Sequence, residues 1–156
     1  MASLRITPAV LPDLPCLAAL LVGPGAMQEA ISTAECGLRY ALEHPERGNV
    51  WVLRDGATPL GCVSLFETIS TAEGGPVALL QDLVVAPECR GLGYGKRLLS
   101  HAIAEANARG LHRITLVPDA LPPETRRFFQ NHGFADSGMI PLRQTFLPQT
   151  ISSTKA

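Results

Sequence analysis

The sequence is short of charge, of ordered cysteine and of long apolar runs. Charged residues are 17% of the 156 and the net charge is −1. No basic excess argues for nucleic acid or for an anionic membrane surface. The four cysteines, Cys16, Cys36, Cys62 and Cys89, include no C-x-x-C pair, so neither a zinc framework nor a disulfide scaffold is indicated. The histidines at 44, 101, 112 and 132 show no metal-ligand spacing. The one apolar run near the start, "LPCLAALLVG" from Leu14 to Gly23, is too short to span a bilayer. It has no basic leader and Asp13 and Pro15 interrupt its beginning, so it reads as a core helix and the expected compartment is the cytoplasm. No internal repeat or low-complexity tract is present.

What remains is a chain with 46% hydrophobic residues, which fits one globular domain of ordinary core size. Leu4–Thr7 reads as a short strand. Val10, Leu14, Leu17 and Leu21 then recur at helical spacing, with Pro12 and Pro15 early enough to sit in a first turn. "STAE", Ser32–Glu35, has capping-box spacing ahead of a second helix that Pro45 ends. Two strands are expected at Asn49–Arg54 and Leu60–Ile69, joined by a loop longer than a two-residue hairpin turn. "VALLQDLVV", Val77–Val85, is nearly continuous in apolar residues and suits a strand buried on both faces. A long helix to Arg109 follows, then a strand at His112–Val117 and a short helix that Gly133 ends. One or two final strands are expected after Gly133. The expected fold class is mixed α/β, in the order β-α-α-β-β-β-α-β-α-β. One domain is expected over 1–147, with a loose polar tail over 148–156.

Between the apolar strand and the long helix lies "PECRGLGYGKRLL", with glycines at 91, 93 and 95. A strand, a glycine-rich turn and a helix make an anion site, because the first helical N–H groups lack partners and the helix dipole is positive there. The P-loop pattern fails, since Arg90 stands where its first glycine is needed and Arg97 where Ser or Thr is needed. The dinucleotide pattern G-x-G-x-x-G fails because the run is G-x-G-x-G.

The blocks "LQDLVVAPECRGLGYGKRLL", "GLHRITL" and "FFQNHGF", together covering Leu80–Phe134, resemble the GNAT superfamily of acyl-CoA-dependent N-acetyltransferases. The resemblance implies acetyl-CoA as co-substrate and no metal. Its pyrophosphate would lie on the amides of Arg90, Gly91, Leu92, Gly93, Tyr94, Gly95 and Lys96, with Tyr94 placed to cover it. The pantetheine arm would pair with the strand backbone at Leu83, Val84 and Val85. The strands at 80–85 and 112–117 would splay to admit the thioester.

Acetyl transfer requires a neutral amine, although a lysine-type ammonium has a pKa of about 10. It also requires donors for an oxyanion, for which a strand N–H suffices. Members of the family often place a glutamate base on the central strand and a tyrosine acid in the last helix motif. By match, those positions hold Gln81, which cannot ionise, and Phe129, which has no hydroxyl. A positioned acid or base contributes about 10²–10⁴-fold, yet a thiol of pKa near 8.5 leaves tolerably unassisted. The base is the more serious loss. Glu67 and Asp82 are the candidate replacements. Period-2 alternation sets Asp82 on the opposite face from Gln81 and favours a structural role for it. Glu67 either faces the acceptor or is simply an exposed strand carboxylate.

Cys89 reads as a passive thiol ahead of an acyl relay. His101 reads as part of a solvated helix face, and His132 as a partner of a helix C-terminus. The function expected is acetyl transfer from acetyl-CoA to a primary amine of a small molecule or peptide by direct attack. The rival is a non-catalytic acyl-CoA-binding module of the same fold. The acceptor site would be built by the first two helices, the loops after them and the last strands, which carry no motif. A homodimer is compatible with the sequence.

Overall fold

The computed structural model describes residues 3–146. They fall in two compact units divided after Asp119. The polar tail expected from Pro148 lies outside the described residues.

In the first unit, β1 (Leu4–Pro8) leads through a 3-10 turn at Leu11–Asp13 into α1 (Leu14–Val22) and α2 (Gln28–Glu43). Three strands follow, β2 (Gly48–Asp55), β3 (Thr58–Ser70) and β4 (Gly75–Val85), then a 3-10 turn at Pro87–Cys89. The unit ends with α3 (Tyr94–Ala108) and β5 (Ile114–Thr115). The five strands form one sheet in chain order. All neighbours are antiparallel except β4 and β5, which are parallel. This is the mixed α/β class expected.

Alternation along the strands sorts the core onto two faces. Val50, Val52 and Cys62 pack with Leu14, Leu17 and Ala18 of α1 and Leu38 of α2. The opposite face meets α3. Leu98 reaches the backbone beside Gly61, and His101 meets Trp51 edge-to-face with ring centroids 5.2 Å apart. His101 therefore packs against the sheet instead of facing solvent.

A buried ion pair ties α1 to the sheet. Arg54 of β2 donates to Asp13 through Nη1 at 3.1 Å and Nη2 at 2.8 Å, and its Nε donates to Thr7 Oγ1 at 2.9 Å. The Val10 N–H donates to Asp13 Oδ2 at 2.9 Å. Burial raises the Asp13 pKa, but these bonds and the guanidinium charge outweigh it and hold the carboxyl below its ordinary value.

Several local expectations are corrected. The "STAE" box does not start α2, which begins four residues earlier at Gln28. Thr33 Oγ1 instead donates back to the Glu29 carbonyl at 2.9 Å, satisfying its hydroxyl inside the helix. The β2–β3 connection is a tight two-residue turn, with Asp55 paired to Thr58. A register shift between Leu53 and Arg54 absorbs the extra residue. β4 is not buried on both faces, because Leu79 is 40% exposed and Gln81 is exposed. β5 spans two residues rather than six.

The second unit contains α4 (Pro123–Gln130). Phe129 stacks edge-to-face on Phe134 at 5.4 Å and on Phe128 at 5.2 Å. His132 Nδ1 donates to the Phe128 carbonyl at 2.7 Å, the end-of-helix role expected of it. No strand forms between 134 and 146. Gly138 with φ +71° and Pro141, which lacks an N–H, interrupt that stretch.

Candidate active site

The glycine loop starts where β4 ends. In the 3-10 turn, the Cys89 N–H donates to Ala86 O at 2.8 Å. The chain then reverses through Gly91 and Gly93, with φ of +79° and +80°. An L side chain in that region costs about 1–2 kcal/mol. Nothing lies within 4 Å of where a Cβ would stand on either glycine, so a ligand has free approach to this backbone. Gly93 caps α3 without any side-chain cap. The first helical bond runs from Arg97 N–H to Gly93 O at 3.1 Å, which leaves the amides of Tyr94, Gly95 and Lys96 without intrahelical partners. Arg90 Nε donates to Val85 O at 3.4 Å and Arg97 Nη2 to Leu4 O at 3.3 Å. These two arginines tie the loop to the sheet, and Lys96 stands exposed.

The strand leading into the loop has an open edge. The His112 N–H donates to Pro76 O and the Ala78 N–H to Arg113 O, both at 2.9 Å. Pairing then ends at Leu79 and Thr115. From Leu80 to Val85, about 20 Å of strand, β4 has no strand partner on that side among the described residues. This is the splay the resemblance implies, and it runs directly into the unpartnered amides of α3. Leu83, Val84 and Val85 are half-buried along it.

At the point where the strands part, β4 carries a bulge. Leu65 pairs with Leu80 and Ser64 with Asp82, so Gln81 is the extra, unpaired residue. Its side chain is exposed. The bulge interrupts alternation and brings Asp82 onto the face of Ser64, Cys62 and Val84, beneath α1 and α2. Ser64 Oγ donates to Asp82 Oδ2 at 2.7 Å. Burial, with the Asp82 charge adding to it, pushes the Cys62 thiol up to about 12.

Glu67 lies elsewhere. It pairs with Ala78, on the closed side of the splay, and forms an ion pair with Arg109 just past α3. Arg109 also donates to Asn49 Oδ1 at 2.7 Å. The Glu67 carboxylate is thus committed to the α3 side of the sheet, away from Asp82. Phe129 belongs to the second unit. Cys89 is a free, half-buried thiol.

Two parts of this arrangement escape sequence reasoning. In "LLQDLVV" apolar residues occupy both parities, so no break in pattern marks the bulge. Ser64 was legible in principle, as a lone hydroxyl in the buried run "CVSLF", since such a group needs a partner.

An open strand edge leading into a glycine-lined helix start, on a mixed sheet, is the arrangement that the resemblance to the acetyltransferases implies. The sequence model of the acetyltransferase (GNAT) domain matches residues 46–136, and the chain belongs to this family. It is 32% identical to serotonin N-acetyltransferase 2, chloroplastic, of Oryza sativa subsp. japonica, over 63% of this chain and 46% of that protein. The chain therefore spans about half the length of that relative. It is 29% identical to the N-acetyltransferase YhfO of Bacillus subtilis, over 69% of this chain and 72% of the relative. The crystal structure of a predicted acetyltransferase from Clostridium acetobutylicum, solved with acetyl-CoA, superimposes with a TM-score of 0.72 at 16% identity. That superposition covers 90% of this chain and 96% of the other. Among the described residues no helix is long and apolar enough to cross a membrane.

Proposed function

We propose that the protein transfers the acetyl group of acetyl-CoA to a primary amine of a small molecule or peptide by direct attack. The observation that carries this reading is the continuity of the open β4 edge with the unpartnered amides of Tyr94, Gly95 and Lys96. Backbone donors along 83–85 take the pantetheine arm, and the amides from Arg90 to Lys96 take the pyrophosphate, with Lys96 adding positive charge. Among the described residues no cluster of His, Cys, Asp or Glu is arranged to hold a metal, and the chemistry proposed needs none.

Asp82 takes the base role in this reading. It stands at the fork of the splay, and Ser64 holds one carboxylate oxygen while the other is left for an ammonium. Asp82 removes one proton from the ammonium. The freed lone pair forms the N–C bond to the thioester carbonyl, the C–S bond breaks, and the nitrogen's surplus proton goes to the departing thiolate. Asp82 then returns its proton to water. Gln81 orients the acceptor or a water, Glu67 anchors Arg109, and Phe129 matches in sequence the position where other members carry a hydroxyl.

The test is thiol release from acetyl-CoA across a panel of amines, with Asp82→Asn beside the wild type. Asparagine keeps the Ser64 contact, so folding and CoA affinity should hold while kcat falls about 10²–10⁴-fold. Full activity in Asp82→Asn removes Asp82 from the mechanism. Tight CoA binding with no amine-dependent thiol release from the wild type leaves the acyl-CoA-binding module as the function.

A further inference from the structure

A cleft of about 420 Å³ lies between α2 and β3, beyond the elements that would hold CoA. Its size falls within the range of small-molecule sites. One wall is a face of α2, where Gly37, Tyr40 and Ala41 follow the i, i+3, i+4 spacing, continued by His44 at the helix C-cap. Phe66 forms the floor. The Tyr40 and His44 rings lie 4.3 Å apart, and the Arg47 guanidinium sits 6.0 Å above the Tyr40 ring. The walls are mostly apolar, yet Tyr40 is 51% exposed.

Gly37 is the telling residue. A glycine in a helix interior costs about 0.5–1 kcal/mol relative to alanine, and nothing lies within 4 Å of where its Cβ would stand. The helix forgoes a side chain at a position that lines the cleft, and the space in front of it is open.

The cleft also has a fixed relation to the proposed base. Phe66 and Ser64 are two residues apart on β3 and share a face. Ser64 holds Asp82, so the floor and the carboxylate are separated by about 7 Å along the strand. Leu79, the cross-strand neighbour of Phe66, lies on the same face and is 40% exposed. The two charged residues of the lining are already paired, Arg47 with Glu46 at 3.9 Å and Glu67 with Arg109, so neither is left to hold an ammonium in the cleft itself.

We infer that this cleft holds the aryl group of the acceptor, so that the substrate class is an arylalkylamine with a spacer of two or three carbons. The inference rests on the acetyl transfer proposed above. The ring lies among Tyr40, His44 and Phe66, the spacer passes Leu79, and the ammonium reaches Asp82.

The test compares 2-phenylethylamine with n-propylamine as acceptors for the wild type and for Gly37→Leu. Leucine fits the helix, and the melting temperature should hold or rise. KM for 2-phenylethylamine should rise at least tenfold in the variant with kcat little changed, while values for n-propylamine move less than twofold. Equal effects on both amines, or an unchanged KM for 2-phenylethylamine, overturn the aryl site and leave acetyl transfer standing. Calorimetry with 2-phenylethylamine in the presence of CoA separates the two ideas. Binding that Gly37→Leu abolishes, without turnover of any amine, supports the cleft and removes the transfer reaction. No binding to the wild type overturns the cleft.

Discussion

Replacing Asp13 by asparagine should remove a large part of the protein's stability. The Arg54 side chain is 10% exposed and that of Asp13 6%. Asparagine preserves shape and can still accept from the Val10 N–H, so the change isolates the charge. The amide oxygen can still accept from Arg54 Nη2, but Arg54 Nη1 then faces an NH2 donor and the guanidinium remains a buried cation without a counter-ion. Breaking such a pair from one side costs about 3–5 kcal/mol, against a total of about 5–15 kcal/mol for a typical domain. With an m-value of about 2 kcal/mol/M, the urea midpoint should fall by about 2 M. Adding Arg54→Met removes the stranded cation and should recover most of the loss, since a buried pair replaced by apolar groups is often neutral. The same pair sets an acid limit. The folded Asp13 pKa lies below its unfolded value, so its contribution is fully present above the unfolded pKa of about 3.9. It is lost as pH falls through the folded value. A loss under about 1 kcal/mol in Asp13→Asn, or a double variant as unstable as the sum of the singles, would refute the reasoning.

Two further outcomes address the cofactor loop and the altered acid position. Gly93→Val should weaken CoA binding beyond its cost in stability, because it adds bulk where the backbone must meet phosphate; calorimetry on the folded variant checks this, and unchanged affinity removes the loop from the site. Phe129→Tyr should raise kcat by up to about 100-fold if thiolate departure limits the rate, while a buried hydroxyl without a partner would lower stability by about 1–3 kcal/mol; kinetics and melting measured together distinguish these effects.

Features set by local chemistry were legible in the sequence. Consecutive residues specify the glycine loop, the cap-free start of α3 and the apolar stripe Leu98, Leu99, Ala102 and Ala106. Features set by distant partners were not legible. Asp13 and Arg54 are 41 residues apart in sequence, and nothing near either announces the other. The ion pair of Glu67 with Arg109 is hidden for the same reason, and so is the contact of His101 with Trp51. Ser32–Glu35 shows the opposite failure, a local signal overridden because α2 continues upstream to Gln28. The strand expected at 112–117 is shortened because pairing stops where the sheet forks, and strand propensity carries no information about that point.

The bulge also governs which positions are free to vary. Gln81 sits outside the β3–β4 pairing and its side chain is exposed. Its identity can therefore drift at little expense to folding, and a glutamine can stand where relatives of this fold use a carboxylate without any compensating change in the core. Asp82 has no such latitude, because its side chain is held by the buried Ser64 hydroxyl. Deleting residue 81 would close the bulge and still leave Leu80 opposite Leu65 and Asp82 opposite Ser64, so the carboxylate would keep its face. One residue inserted after Asp82 would be another matter, because it would turn 83–85 over and start the glycine loop from the wrong side of the sheet. The bulge is thus a place where the chain can change in identity or length, and the stretch between it and the loop is not.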